Sequence, residues 1–241
     1  MSILNKRAIA VAAPFLALCA LAYADGIYNP GVPSISGTIS GGVSSGGGPG
    51  QQVDLGTVRW NPDDKSSNLT LSNGNLTATN GAVAFSNVRS TGAGHSYGKY
   101  YVETVKVSVN ANVVFGIANR ALPLTSYVGS TSDGVGLIGD GRVQINSVTI
   151  NTIAGITNSL IHQMAVDLDN RKVWYRTGCA GLWNNSAPDN PATNTGGVSL
   201  ATLNAGPYFI TYTLSQITDT VTLNSGGSAY ACTAPVAFLN W

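Results

Sequence analysis

Residues 162–178, HQMAVDLDNRKVWYRTG, contain two apolar stretches on either side of a short polar turn. Val166 and Leu168 lie two residues apart before the turn, and Val173 and Tyr175 lie two apart after it. Side chains at this spacing point to the same face of a β-strand. The pattern predicts a β-hairpin, and therefore a fold built from strands.

The rest of the chain repeats this kind of pattern. The sequence has 241 residues with 29 Gly, and its short apolar runs are separated by turn-forming residues. No stretch has a sustained helical period. Strands are predicted around Leu69–Leu71 and Leu76, which flank an Asn73-Gly74 turn, and at residues 82–88, 100–109, 113–118, 135–138, 143–145, 208–214, 220–223, 229–232 and 237–241. Many short strands at this spacing indicate an all-β sandwich.

The charge of the chain limits its partners. Only 10% of residues are charged, and the formal net charge is +1. A protein that binds nucleic acid needs a basic face to neutralise phosphates. We therefore expect no nucleic-acid partner.

Residues 1–24 have the layout of a secretory signal. Lys6 and Arg7 precede an apolar run over residues 8–21, and a small-x-small site lies before Asp25. The run is short of the roughly 20 apolar residues that span a membrane, so no stable span is expected in the mature protein. Cleavage predicts an extracellular or periplasmic protein. If the segment is retained, it would be a hydrophobic arm buried against a partner in a large assembly, such as the surface of a virion.

Residues 25–52 are rich in Gly, Pro and Ser. Such a segment buries too little apolar surface to fold alone. We predict a linker or arm, followed by one domain over residues 53–241. The arm is also a candidate for contacts with other virion proteins.

Two cysteines, Cys179 and Cys232, remain after the signal-like segment. In an exported protein an even pair is typical of a disulfide. The alternative is two separate thiols, with Cys232 in a core strand. The sequence leaves both open, because it does not give the distance between the two residues.

An enzyme would need titratable groups held together. Asp167 and Asp169 lie two apart and could form the carboxylate pair of a glycosidase. The structural interpretation is turn chemistry beside Asn170. His95 and His162 lack a nucleophile motif and are interpreted as surface or capping residues. We predict no catalytic residue, and the rival hypothesis is a carbohydrate-active enzyme that uses the two aspartates.

No spacing of Cys and His indicates a metal site, and no motif indicates a cofactor. Glu103 is the single glutamate and shares a face with Tyr101 in an alternating strand. This face is expected to be buried, and a buried carboxylate needs a partner. We predict Arg89 on a neighbouring strand as that partner.

Loops on a rigid sandwich are the expected location of a binding site. Residues 119–133, 147–158 and 178–197 are the candidate loops. Exposed Trp, Tyr and Arg are typical interface anchors, and an aromatic ring beside amides also suits a sugar. Trp183 could instead fold back over the sandwich, whereas Trp60, Trp174 and Trp241 are expected in the core. The candidate ligand-binding residues are Arg120, Tyr127, Trp183, Asn184, Asn185 and Asp189.

The order of motifs resembles the SPRY family. Residues 98–103, GKYYVE, resemble its GKYYFEV strand, residues 114–118 its GIA strand, and residues 140–141 its DG turn. The hairpin resembles the family's aspartate-bearing strand that returns as an aromatic pair, here Trp174-Tyr175. Residues 182–197 resemble an insertion of phage and bacterial members. Thr-Gly-Cys stands where the family usually has Asn-Gly.

The resemblance implies a SPRY-like, concanavalin-like sandwich of two antiparallel sheets. It also implies binding without catalysis, through loops at one end of the sandwich. The hypothesis is a recognition or structural module outside the cytoplasm that contacts a protein or a cell-surface glycan. Two versions stay open: a secreted bacterial binding protein, and a decoration or fibre protein of a phage virion.

Overall fold

Short strands account for most regular structure in residues 58–107 and 112–241, the part of the chain that the computed structural model describes. The predicted signal segment (1–24) and arm (25–52) lie outside the described residues. In chain order the strands are β1 (Trp60–Lys65), β2 (Leu69–Ser72), β3 (Thr77–Asn80), β4 (Ser86–Ser90), β5 (Lys99–Val107), β6 (Val114–Ala118), β7 (Gly134–Ile138), β8 (Arg142–Ile145), β9 (Val148–Thr152), β10 (Ile161–Asp167), β11 (Lys172–Thr177), β12 (Val198–Ser199), β13 (Phe209–Leu214), β14 (Thr220–Asn224) and β15 (Leu239–Asn240). Two short 3-10 turns lie at Trp183–Asn185 and Pro191–Thr193.

The strands form two sheets. The seven-stranded sheet has the order β1-β4-β13-β6-β7-β8-β9. The eight-stranded sheet has the order β12-β11-β10-β5-β14-β3-β2, and β15 pairs with β5 in addition. All pairings are antiparallel except the short one between β15 and β5. The predicted sandwich of two antiparallel sheets is confirmed.

The hairpin of residues 162–178 lies inside the eight-stranded sheet, between β12 and the central strand β5. β10 pairs with β11 so that Val166 lies opposite Val173 and Asp167 opposite Lys172. The other edge of β10 pairs with β5 from Ile161 to Asp167. The hairpin is therefore scaffold that fixes where the 178–197 loop begins.

Alternation along the strands divides the side chains into a core and two outer layers. Val166, Val173 and Tyr175 point between the sheets, where they pack with Trp60 and Trp241. Each of these side chains is almost fully buried. Burying such a side chain contributes about 1.5–3 kcal/mol, so the space between the sheets supplies most of the apolar stabilisation.

Three segments differ from the prediction. Residues 60–65, where no strand was predicted, form the edge strand β1, and Pro62 is tolerated there because no further strand needs its missing amide. Residues 148–152 of the predicted 147–158 loop form β9. Residues 229–232 are not a strand. Their amides bond to a side chain of the sheet beneath instead of to a neighbouring strand.

The predicted partner of Glu103 is wrong. Arg89 lies in β4 of the other sheet, where its guanidinium bonds to Asp64 at 2.6 Å and to the carbonyl of Leu122. Glu103 is buried on the outer side of the eight-stranded sheet and accepts the amides of Ala231 and Cys232 at 2.9 and 2.8 Å. The partners of the Glu103 carboxylate therefore come from the C-terminal segment, and not from a neighbouring strand as predicted.

His162 is buried rather than at the surface. Its Nε2 accepts the amide of Thr157 at 2.9 Å, which fixes this nitrogen as an acceptor. Burial, together with the nearby charge of Lys106, lowers the pKa of the imidazole from 6.5 to about 4. The folded protein therefore keeps His162 neutral.

We predict that the stability of the domain falls as the pH drops from about 6.5 to about 4, because the unfolded imidazole binds a proton in this window and the folded one does not. The contribution is on the order of 3 kcal/mol, at 1.4 kcal/mol for each unit of pKa. His162→Gln keeps an acceptor for the Thr157 amide and removes the titration. Urea unfolding of the wild type and of His162→Gln measures the free energy of unfolding across this pH range. The difference between the two free energies should shrink as the pH falls. Parallel curves would contradict this role of His162.

Candidate functional site

Two of the three candidate loops, 119–133 and 178–197, cover opposite outer faces of the sandwich. Leu122 and Val128 of the 119–133 loop pack on Val114 and Ala118, which point outward from the seven-stranded sheet. Trp183 of the 178–197 loop packs on the outer side of the eight-stranded sheet. The six candidate residues therefore do not form one surface.

Arg120 and Tyr127 have different surroundings within their loop. The Arg120 side chain is 61% exposed, with its guanidinium 4.8 Å from the centre of the Phe209 ring. Its ion pair with Asp64 is long, at 3.9 Å, and adds little in water. Tyr127 is half-buried, and its hydroxyl lies 3.1 Å from Gln144 Oε1. Arg120 is thus available to a partner, whereas Tyr127 mainly anchors the loop.

Trp183 lies over the sheet. Its ring packs in a cluster with Tyr101, Ala165 and Trp174, and the guanidinium of Arg176 lies 4.4 Å from the ring centre. Arg176 Nε also donates to Gln163 Oε1 at 2.8 Å. One side of the indole therefore supports the outer layer, and the stacked Arg176 lies on the ring face.

Asp189 organises the 178–197 loop from within. Its Oδ2 accepts from Asn184 Nδ2 at 2.8 Å and from the amide of Gly197 at 3.1 Å. Burial opposes ionisation of this carboxyl, but the hydrogen bonds outweigh it and hold its pKa below the ordinary value. Asn184 is buried and accepts the amide of Tyr175 at 3.0 Å. Asp189 and Asn184 are therefore structural residues that join the loop to β11.

The end of the loop presents different side chains to solvent. Asn185 is exposed, with a left-handed backbone (φ 54°) that asparagine tolerates. Leu182 is 53% exposed, although it is a large apolar residue. Nothing in the sequence pattern singles out Leu182 or Arg176 as a surface residue of this site. Arg176 sits at the end of a strand that looked purely structural, and only the fold shows that it meets Trp183.

A disulfide joins Cys179, at the base of this loop, to Cys232 of the C-terminal segment. The Cα atoms are 5.1 Å apart, a normal distance for such a bond. The bond closes a loop of 53 residues, worth about 4 kcal/mol in the chain-entropy account. Of the two alternatives left open by the sequence, the structure has the disulfide.

The C-terminal segment also covers a polar network. The hydroxyl of Tyr101 donates to Glu103 Oε1 at 2.8 Å and lies 3.1 Å from Gln163 Oε1. Burial, and then the Glu103 carboxylate, raise the pKa of Tyr101 far above its ordinary value. Tyr230 donates to the carbonyl of Tyr101 at 2.9 Å. Because these groups bond to one another, the network holds the C-terminal segment against the outer side of the sheet.

The two aspartates of the enzyme hypothesis belong to the hairpin turn. Asp167 is fully buried, lies 3.0 Å from Lys99 Nζ, and accepts both the amide and the side chain of Asn170 at 2.9 and 2.8 Å. Asp169 accepts the amide of Gly98 at 2.8 Å. The carboxylates thus bond to separate partners, which is turn chemistry.

Within residues 58–107 and 112–241, no group of three or more His, Cys, Asp or Glu side chains converges as a metal site would require.

His95 stacks on Tyr100 with ring centres 3.8 Å apart. The same part of the chain contains no helix with the length and hydrophobicity of a membrane span.

Comparison with solved structures supports the fold. The SPRY domain of human HERC1 superposes with a TM-score of 0.53 at 14% identity, covering 70% of this chain and 99% of that domain. Stonustoxin gives a TM-score of 0.51 at 14% identity, covering 70% of this chain and 27% of the toxin chain. No family model and no curated protein matches the sequence. The domain therefore has a SPRY-like fold, as its motifs predicted.

We predict that Asp167→Asn lowers the free energy of unfolding by about 1–3 kcal/mol, because a buried acceptor with three partners loses its charge and gains a donor. Asp169→Asn should change it by less than about 0.5 kcal/mol, since the amide oxygen can still accept from Gly98. Urea titration of both variants is the measurement. Equal effects would contradict this division of roles.

Proposed function

We propose that this SPRY-like domain is a non-catalytic recognition module that is displayed outside the cytoplasm and binds a protein partner. The proposed recognition surface consists of Arg176, Leu182, Trp183 and Asn185. The observation that carries the proposal is the exposed Leu182 beside the Arg176–Trp183 stack, on a loop that a disulfide fixes at its base.

Rigidity supports a binding role for this loop. Ordering a flexible loop on binding costs free energy, and a loop that is already ordered avoids that cost. Here Asp189 bonds to Asn184 and Gly197 within the loop, and Trp174 Nε1 donates to the carbonyl of Thr195 at 3.0 Å. The loop can therefore present its exposed side chains in a fixed arrangement.

The chemistry of the surface favours a protein over a glycan. Arg and Trp are enriched among the residues that dominate protein interfaces. A sugar would need an open aromatic face, but the guanidinium of Arg176 lies over the Trp183 ring and the ring also packs on the sheet. An exposed Leu182 adds apolar area, which a sugar uses less well than an apolar side chain.

The Cys179–Cys232 bond supports a location outside the cytoplasm, because disulfides persist in oxidising compartments. The signal-like residues 1–24 favour secretion. The Gly-rich residues 25–52 favour the virion version, in which they would contact other virion proteins. Both versions share the same recognition domain and differ in what happens to the N-terminus.

We predict that peptides selected from a random displayed library on the oxidised protein bind Leu182→Ser at least about tenfold more weakly. Loss of a buried Leu costs about 1.5–3 kcal/mol. The matched control is Val83→Ser. The Val83 side chain is 68% exposed and lies in a different loop, between β3 and β4. Titration calorimetry with the selected peptides is the measurement.

If the selected peptides bind Leu182→Ser as tightly as Val83→Ser, the proposed surface is wrong. A parallel glycan array tests the other partner class, and binding to glycans alone would argue against a protein partner. The protein could also be found to hydrolyse a glycan. If Asp167→Asn and Asp169→Asn each abolish that activity while the variants stay folded, the hypothesis of a carbohydrate-active enzyme would replace the proposed binding role.

The intact mass of the protein from its native source tests the location. We expect a chain that begins at Asp25 with Cys179 and Cys232 oxidised, since export would remove the signal-like segment and form the bond. A mass that corresponds to a chain beginning at Met1 would favour the virion version. Reduced cysteines in the native protein would contradict display outside the cytoplasm.

A further inference from the structure

Arg176 lies between the two segments that cross the outer side of the eight-stranded sheet. Its guanidinium lies 4.4 Å from the centre of the Trp183 ring, in the 178–197 loop. Its Nη2 lies 3.4 Å from the carbonyl oxygen of Thr233 in the C-terminal segment. Ala234, the next residue of that segment, packs on the same apolar cluster as Trp183. The positive charge of Arg176 is therefore located where the two segments meet.

The strand register places a neutral side chain between Arg176 and Glu103. Gln163 of β10 lies opposite Glu103 of β5 on one side and opposite Arg176 of β11 on the other. Gln163 Oε1 accepts from Arg176 Nε at 2.8 Å, whereas Glu103 bonds to amides of the C-terminal segment. Within residues 58–107 and 112–241, no ion pair involves Arg176. The oxygens that it contacts there, those of Gln163 and Thr233, are both neutral.

One end of the Arg176 guanidinium faces solvent. Its Nε and Nη2 donate to Gln163 Oε1, but a guanidinium has more N–H donors than these bonds use. Nη1 bonds to no residue in the described part of the chain, and it is not one of the buried side-chain nitrogens left without a partner there, so it reaches solvent. The Trp183 stack and the Gln163 bonds already fix the side chain, so binding at Nη1 costs little conformational freedom.

We propose that the partner places an Asp or Glu side chain on Arg176 Nη1, with large apolar side chains beside it that pack on Leu182 and Val236. The inference rests on the proposed binding role and names the chemistry of the partner segment. A hydrogen bond between a guanidinium and a carboxylate is about twice as strong as one between neutral groups. Leu182 is 53% exposed and Val236 is 79% exposed, one on each of the segments that flank Arg176. An acidic residue between apolar ones is the complement of this arrangement.

Arg120 provides the matched comparison. Its guanidinium also lies over an aromatic ring, that of Phe209, at 4.8 Å from the ring centre. Phe209 belongs to β13 of the seven-stranded sheet, so Arg120 is on the other side of the sandwich. Asp64 Oδ2 lies 3.9 Å from Arg120 Nη1, so this cation already has a carboxylate nearby. A peptide that binds through Arg176 should therefore be insensitive to replacement of Arg120.

The test uses peptides selected from a random displayed library on the full oxidised chain. Each selected peptide is synthesised with blocked ends in two forms, one with its Asp or Glu and one with the matching Asn or Gln. Titration calorimetry gives the dissociation constants of both forms for the wild type, Arg176→Gln and the control Arg120→Gln. We expect the wild type to bind the acid form at least about tenfold more tightly than the amide form. This ratio should fall to about one in Arg176→Gln and stay unchanged in Arg120→Gln.

The ratio between the two peptide forms separates the carboxylate contact from the support that Arg176 gives to the Trp183 ring. Loss of that support weakens the acid and amide forms by the same factor, so it cancels in the ratio. Arg176→Lys keeps the charge and should keep a preference for the acid form, and circular dichroism verifies that the variants are folded.

Three results would overturn the inference: selected peptides without an acidic residue, an equal loss of both forms in Arg176→Gln, or a ratio that Arg120→Gln abolishes instead. Each of them leaves the proposed recognition surface intact as long as Leu182→Ser weakens binding. If Leu182→Ser has no effect on the selected peptides, the proposed surface and this inference both fail.

Discussion

Glu103 imposes the constraint on which the outer layer of the molecule depends. Its carboxylate is buried on the outer side of the central strand β5, where an unpaired charge would cost several kcal/mol. The amides of Ala231 and Cys232 and the hydroxyl of Tyr101 satisfy it. The C-terminal segment therefore has to lie across the sheet, and there Cys232 meets Cys179. The fixed base of the 178–197 loop follows from this placement.

The fold was predictable because its signals are local. The hairpin of residues 162–178 shows the period of two, and the GKYYVE and VFGIA strands carry similar signals. The SPRY-like sandwich follows from their order. β9 was missed because Asn151 and three Thr or Ser residues between 147 and 152 resemble a loop. Residues 229–232 look like a strand because their apolar residues pack on a sheet, but they lie over its face.

The candidate site was less predictable because it depends on which faces meet. The sequence gives no sign that the 119–133 and 178–197 loops lie over different sheets, since both are polar, Gly-containing segments of similar length. Arg176 looked like a strand residue, and its stack on Trp183 depends on how the loop folds back. Asn184 and Asp189 have the residue types of a ligand site, yet they bond to each other, and Asn184 also bonds to the amide of Tyr175 in β11. Polar composition alone does not separate a residue that builds a loop from one that binds a partner.

The position of β5 within its sheet has a consequence for synthesis of the protein. The strands that pair with it, β10, β14 and β15, all follow it in the sequence, and so do the amides that satisfy Glu103. Trp241, which lies 5.5 Å from Tyr100 between ring centres, comes later still. A nascent chain on the ribosome therefore exposes Tyr101 and Trp174 until the residues around Cys232 have emerged. Contacts so distant in sequence form slowly, so the outer side of β5 is completed only after almost the whole domain has been synthesised.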